Sequence, residues 1–371
     1  MELQAKKKSY WSTFKNAYLR SKNLKKFWNG LDKTNLSEEL KDTVNLFLNS
    51  ESYDLSSKFW RHVNMNQLKI ISNDKKGNYE SLISQEYFTF TYFNDALIKD
   101  AWDKIKNNKI ILNVNLFKKQ NNFSLTQSIN HNLILVLLYE NIKLKEVFSH
   151  FKKLEKFNLN NPALPSLLIN DTEITQDNIN SLFEFEKIEM LLNKIKNKNN
   201  IILEIGAGAG RTAKTILSIK DKVKYVIADI PPAINLSFNN IKKYFPNKKI
   251  ETAFKVDDRN ELNNLLKKND VLFIFPHQIK LFDEKTFDMS IAIDCLHEME
   301  KKTIKNYMAI FEDVSKSLYF KVWEYCGLPY SFYQHYSVHD KKDYAIKNHW
   351  TEHLKERCIY PSNFFHLGYE F

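Results

Sequence analysis

The sequence predicts an α/β protein in which a doubly wound, mostly parallel sheet with an antiparallel last strand follows a mainly helical N-terminal domain. Two observations predict it. From Asn200 onward, apolar runs rich in β-branched residues alternate with helix-compatible segments, as a doubly wound sheet requires. Residues 1–170 instead show helical periodicity broken by polar stretches, with no run of alternating strands. A chain of 371 residues has room for both. The expected domains are 1–170 and 171–371, divided at NNPALPSLLINDTEITQDN, Asn160 to Asn178, whose prolines and small polar residues read as a linker.

In the first half, Ser124 is an N-cap for SLTQSINHNLILVLLYENI, and LKEVFSHFKKLEKF reads as another helix. FTFTYFN, Phe88 to Asn94, fits a strand or a helix equally well. The longest apolar run, Leu133 to Tyr139, is too short to span a bilayer, and the N-terminal stretch has no apolar signal core. Cys295, Cys326 and Cys358 lie far apart without paired spacing, which argues against a disulfide framework or zinc cluster and fits a reducing cytoplasm. The formal charge is +11, but arginine supplies only five of the 55 basic residues, and readers of phosphates and base edges favour its forked guanidinium. Scattered lysines read as a solvated face, so nucleic acid is disfavoured as a partner.

The sheet half begins with IILEIGAGAGRTAK, Ile201 to Lys214: a strand, a tight turn with Gly206, Gly208 and Gly210 at alternate positions, and a helix start. A dinucleotide fingerprint needs glycine where Arg211 stands, which weakens an NAD reading. VKYVIAD is the second strand and ends in Asp229, 23 positions after Gly206, where a carboxylate can accept two hydrogen bonds from a ribose diol. Pro231 and Pro232 form a rigid lead-in to the next helix. Two stretches compete for the third strand, ETAFKVDD and DVLFIFPHQ. The later is preferred as the ligand-facing strand, which puts Pro276, His277 and Gln278 at the edge of a bound base.

FDMSIAID is the fourth strand, with CLHEME directly after it. Open α/β sheets bind ligands outside the carboxyl ends of their strands, so Asp294, Cys295, His297 and Glu298 should line the site. His297 has a pKa suited to a base, and Glu298 can orient it. Asp257, Asp258, Asp294 and His297 can be imagined around a metal, but no spacing compels it, and no metal is assigned. After the fifth strand, SLYFKVW, comes an aromatic and histidine-rich tract with Trp323, Tyr333, His335 and Tyr336, acceptor-site candidates because aromatic faces stack on rings and polar tips bind hydroxyls. FFHLGYEF closes the chain as the last, antiparallel strand.

Glu204 followed by G-x-G-x-G resembles the first motif of class I S-adenosylmethionine (SAM) dependent methyltransferases. LEIGAGAGR, ADIPPA, VLFIFPHQ and FDMSIAIDCLHEM in this order, with weaker support from SSKFW at Ser56 to Trp60, resemble the sugar O-methyltransferases of bacterial surface-polysaccharide loci. The resemblance covers about Pro165 to Trp323 well and the helical half only loosely; Cys295 stands where that family often has Ser. It implies a Rossmann-like fold, SAM held by Glu204, Gly206, Ala207, Gly208, Gly210, Asp229, Ile230, Pro276, His277, Gln278, Asp294 and Cys295, and methyl transfer to a sugar hydroxyl with His297 and Glu298 as catalytic residues. The acceptor would be a sugar, free or nucleotide-linked, in capsule or lipopolysaccharide biosynthesis. The helical half would cover the site, set acceptor specificity or form a homodimer. Methylation of RNA or protein, and a silent SAM-binding scaffold, are the alternatives.

Overall fold

A computed structural model describes residues 24–74, 79, 82, 95–107, 114–120, 123–155, 165–195, 200–327 and 335–371. FTFTYFN lies outside the described residues.

The helical half is built around the helix Leu125–Ile142, where Ser124 accepts from the backbone N–H of Gln127 and the Gln127 side chain accepts from the Ser124 N–H. Residues 131–139 are all buried, because this helix is apolar on every side and is wrapped by its neighbours. Among the described residues, no helix is long and apolar enough to cross a membrane.

The stretch read as a linker is structured from Pro165 onward. β1 (Ser166–Ile169) and β2 (Thr172–Thr175) form an antiparallel hairpin closed by Asn170 and Asp171, both left-handed, and the helix Gln176–Ile195 follows directly. Asn-Asp between two short strand-compatible runs, SLLI and TEIT, is a two-residue hairpin signal that the proline content masks.

The remaining strands are β3 (Asn200–Ile205), β4 (Val223–Ala228), β5 (Ile250–Thr252), β6 (Val271–Ile274), β7 (Met289–Ile293), β8 (Ser317–Trp323), β9 (Tyr325–Gly327), β10 (His335–Ser337), β11 (Thr351–Arg357) and β12 (Phe364–Glu370). Eight of them form one sheet in the order β11-β12-β8-β7-β3-β4-β6-β5. β3 to β8 run parallel, and β12 is antiparallel to both β8 and β11, so the doubly wound, Rossmann-like arrangement with an antiparallel closing strand is present. Both rivals for the third strand are strands: β6, from DVLFIF, pairs with β4, and β5 takes the edge outside it.

The sheet buries both faces. One packs on the helices Arg259–Lys268 and Lys301–Val314 through Leu203, Val226, Leu272 and Phe320. The other, through Ile202, Tyr225, Phe273 and Tyr319, belongs to the same apolar core as the helical half. That continuity lets the N-terminal helices reach the carboxyl ends of the strands.

Candidate active site

β3 ends in a turn that glycine makes possible. Gly206, Gly208 and Gly210 have φ of +67°, +57° and +78°, in the region where an L side chain is strained. The Gly206 N–H donates to the Ala228 carbonyl at 3.0 Å, tying the turn to β4, and Gly210 caps the helix Arg211–Ile219. Asp229 closes β4 and faces this turn: its Oδ2 accepts from the Gly208 N–H at 2.9 Å and its Oδ1 from the Ile230 N–H at 2.7 Å. Burial nevertheless pushes Asp229 up to about 7, with those two donors opposing the shift. Each oxygen keeps a further lone pair for a ligand donor. Ala207 and Ile230 flank the carboxylate, both nine-tenths buried or more. Glu204 lies beneath the turn, where its Oε2 accepts from the Tyr225 hydroxyl at 2.8 Å, and burial raises it to about 7.

Asp294 follows β7 with φ +56°, a strained conformation for a residue with a side chain. Its Oδ2 accepts from Lys321 Nζ at 3.1 Å, whereas its Oδ1 is buried with no partner among the described residues. Lys321 also donates to Glu184 at 3.0 Å, and Glu184 holds Arg211 through two bonds of 2.7 and 3.1 Å. Glu184 is 1% exposed; burial opposes its charge, but Arg211 and Lys321 hold it down to about 2.

His297 and Glu298 sit in the short turn Leu296–Glu298. His297 is buried, its ring stacked on Trp323 at 5.5 Å between centroids and edge-on to Phe364. Burial, helped by the Lys321 charge, pushes it down to about 3, so the imidazole is neutral, and its Nδ1 has no partner among the described residues. Glu298 is partly exposed and accepts from the Trp60 indole N–H at 2.9 Å. Burial and the neighbouring Asp294 charge raise it well above the ordinary carboxylate range. The donor comes from the helix Lys58–Asn73 in the N-terminal half, where Lys58 also reaches Glu300 at 3.1 Å.

Several expected contacts are used elsewhere. Gln278 is fully buried; both its amide protons go to the carbonyls of Ala253 and Val256, and its oxygen accepts from the Phe275 N–H, so it holds a loop and has no donor left for a base edge. Pro276 is buried at the start of the turn Pro276–Leu281. His277 is covered by the helix Glu51–Leu55: its Nδ1 shares a hydrogen bond of 2.8 Å with Ser52. Cys295 is buried against the glycine turn, its thiol donating to the Ile205 carbonyl at 3.6 Å. Tyr336 is 1% exposed and donates to the Met299 carbonyl at 2.6 Å, which makes it a brace for the loop after Glu298 rather than a sugar platform. His335 starts β10, which pairs with β9. Tyr333 lies outside the described residues. Asp258 caps the helix Arg259–Lys268, its Oδ1 accepting from the Glu261 N–H, and no cluster of three metal-ligating side chains occurs among the described residues.

Trp60, Ser52, Glu184, Arg211 and Lys321 join the site without having been assigned to it from sequence. Two left a trace: Lys321 is a charge inside the apolar strand SLYFKVW, and Glu184 one inside the apolar stretch SLFEFEKIEMLL. A charge in such a place needs a partner.

Chemically, the arrangement offers a backbone cradle, a carboxylate able to grip a diol, a second carboxylate with an unpartnered oxygen, and a raised carboxyl beside a neutral imidazole and an indole. No protein-family model matches the chain, and no curated protein matches it. Among solved structures, it is similar to a SAM-dependent methyltransferase from Aquifex aeolicus at 16% identity, over 49% of this chain and 87% of that one, with a TM-score of 0.32. It is also similar to a magnesium protoporphyrin IX methyltransferase from Synechocystis PCC 6803 with bound SAM, at 8% identity over 52% and 79% of the two chains and a TM-score of 0.35. The third is a 1,6-didemethyltoxoflavin-N1-methyltransferase from Burkholderia thailandensis, at 14% identity over 50% and 77% and a TM-score of 0.34. At such values the likeness carries no chemistry across, and what this site can do follows from its own residues.

Proposed function

We propose that the protein is a SAM-dependent O-methyltransferase acting on a sugar hydroxyl. The observation that carries the SAM part is the meeting of three left-handed glycines with Asp229 at the carboxyl ends of adjacent strands. A side chain at Gly206 would have its Cβ 2.9 Å from that of Cys295, so the backbone there has no room for anything but glycine. Gly206, Ala207 and Gly208 form the cradle, Asp229 binds the ribose diol through its remaining lone pairs, and Asp294 Oδ1 accepts from the ammonium of the amino-acid tail. SAM supplies an electrophilic methyl group on a sulfonium.

Proton removal from the acceptor falls to Glu298 more than to His297, because an imidazole at about 3 is a weak base, while a carboxylate raised by burial is a stronger one. Trp60 holds that carboxylate in place, and His297 Nδ1 is an available hydrogen-bond partner for the acceptor hydroxyl. Trp323 and Phe364 provide apolar walls beside it. The sugar, and a place in capsule or lipopolysaccharide biosynthesis, are supported by the motif resemblance, with residues 1–170 covering the site.

Titration calorimetry with S-adenosylhomocysteine tests the first part: the wild type is expected to bind it, and Asp229→Ala to lose about 100-fold or more in affinity, as removal of a bidentate charged acceptor implies. Absence of heat with the wild type would remove the SAM reading. A panel of nucleotide sugars with methyl-labelled SAM tests the second. With a sugar that turns over, kcat should rise with pH as Glu298 deprotonates, and Trp60→Phe, which deletes the N–H favouring the charged form, should move that limb to higher pH. An unmoved limb would take the base role away from Glu298.

A further inference from the structure

Four charges beside the site, two of them buried (Glu184 and Lys321) and two half-buried (Arg211 and Asp294), form a neutral set drawn from four separate parts of the chain. Glu184 comes from the helix Gln176–Ile195, Arg211 opens the helix after the glycine turn, Lys321 is in β8 and Asp294 follows β7. Glu184 takes Arg211 with both its oxygens and Lys321 with one, and Lys321 reaches on to Oδ2 of Asp294. The Ser181 hydroxyl, one turn before Glu184, accepts from the same guanidinium at 2.9 Å. Arg211 lies near enough to Asp294 to feel its charge, yet it is turned to Glu184, and Asp294 Oδ1 stays buried without a partner among the described residues. A buried carboxylate oxygen is expensive to leave unmatched, above all on a residue already at positive φ.

We propose that Glu184 is a positioning residue for a ligand ammonium group: by holding Arg211 in a bidentate pair, with Lys321 shared between it and Asp294 Oδ2, it keeps the guanidinium from closing over Asp294 Oδ1. Without Glu184, the guanidinium would be left to the two other carboxylates whose charge it feels, Asp177 and Asp294, and at Asp294 it would fill the place of the ammonium. The inference rests on the SAM reading for the identity of the ligand. Its distinct content is that a helix preceding the sheet decides whether the amino-acid tail can be recognised.

The test compares three probes by calorimetry on the full chain: S-adenosylhomocysteine, its deaminated analogue, and 5′-methylthioadenosine, which lacks the amino-acid tail. The wild type should bind S-adenosylhomocysteine about tenfold or more tighter than the deaminated analogue, the scale of one charge-assisted hydrogen bond. Glu184→Gln should lose about that factor for S-adenosylhomocysteine and less than about twofold for 5′-methylthioadenosine, whose binding also reports an intact fold. Glu184→Gln combined with Arg211→Gln removes the competitor together with its partner, leaves no unpaired charge from that pair, and should recover most of the lost affinity. A role confined to packing would make the double variant worse than the single one, and that result would overturn the proposal, as would equal wild-type affinity for the amino and deaminated ligands. If the wild type binds none of the three probes, the SAM reading falls and takes this one with it; if it binds all three alike, only the ammonium assignment falls.

Discussion

Gly206→Val is expected to destabilise the protein by about 3 kcal/mol or more and to abolish S-adenosylhomocysteine binding, because two penalties add at one position. The backbone there is left-handed at φ +67°, which disfavours any side chain by about 1–2 kcal/mol, and a β-branched one most. The new Cβ would also lie 2.9 Å from Cys295 Cβ and 3.2 Å from its sulfur. Cys295 cannot yield cheaply, since it is buried and tied to the Ile205 carbonyl at the end of β3. Urea unfolding checks the total, and the milder Gly206→Ala separates the two penalties. In a Cys295→Gly background the steric part vanishes, so Gly206→Ala should cost about 1–2 kcal/mol less there than in the wild type. An identical cost in both backgrounds would mean that the close approach to Cys295 is not what reserves this position for glycine.

The second large effect is a pH dependence written into the two buried carboxyls Glu204 and Asp229. Glu204 and Asp229 are raised to about 7 from ordinary values of 4.5 and 3.8, chiefly by burial. A folded acid with a raised pKa keeps a proton that the unfolded chain has released, so its contribution to stability is lost as pH rises from about 4 to about 7 and is flat beyond. For Glu204, 2% exposed, the difference corresponds to about 3 kcal/mol. Buried histidines act in the opposite sense: His131, His297 and His366 are pushed down to about 4, 3 and 3, and the stability they confer is lost as pH falls below about 6.5 toward those values. The wild-type profile is the sum of opposing slopes, and only a difference between variants isolates one group. Glu204→Gln keeps an oxygen to accept from Tyr225 and removes the titration. Its stability relative to wild type, from urea midpoints, should improve by about 3 kcal/mol between pH 4 and pH 8. A pH-independent difference would show that Glu204 ionises in the folded protein as freely as in the unfolded chain.

The two groups carry a functional conflict. On the proposed reading Asp229 is charged when it accepts two hydrogen bonds from a diol, whereas burial favours its neutral form. Hydrogen bonds donated by the proposed ligand would shift that balance toward the charged form.

The sequence by itself determined the features set by near neighbours. A β-branched run, three spaced glycines and a helix start define the cradle within a dozen residues, because positive φ is a local demand that glycine meets. The same holds for Asp229 at the end of its strand and for Ser124 as a helix cap. The hairpin at Asn170 and Asp171 was as local, and was hidden only by the prolines before it. Tertiary structure alone decided what lies across from each of these. It put β6 beside β4 with β5 at the edge, closed both amide protons of Gln278 on Ala253 and Val256, and packed Tyr336 into the core. It brought Trp60 to Glu298 across 238 positions and Glu184 to Lys321 across 137. The physical reason is the range of the interactions: backbone conformation and capping depend on residues a few positions apart, whereas burial and charge pairing depend on which distant surfaces the hydrophobic core presses together.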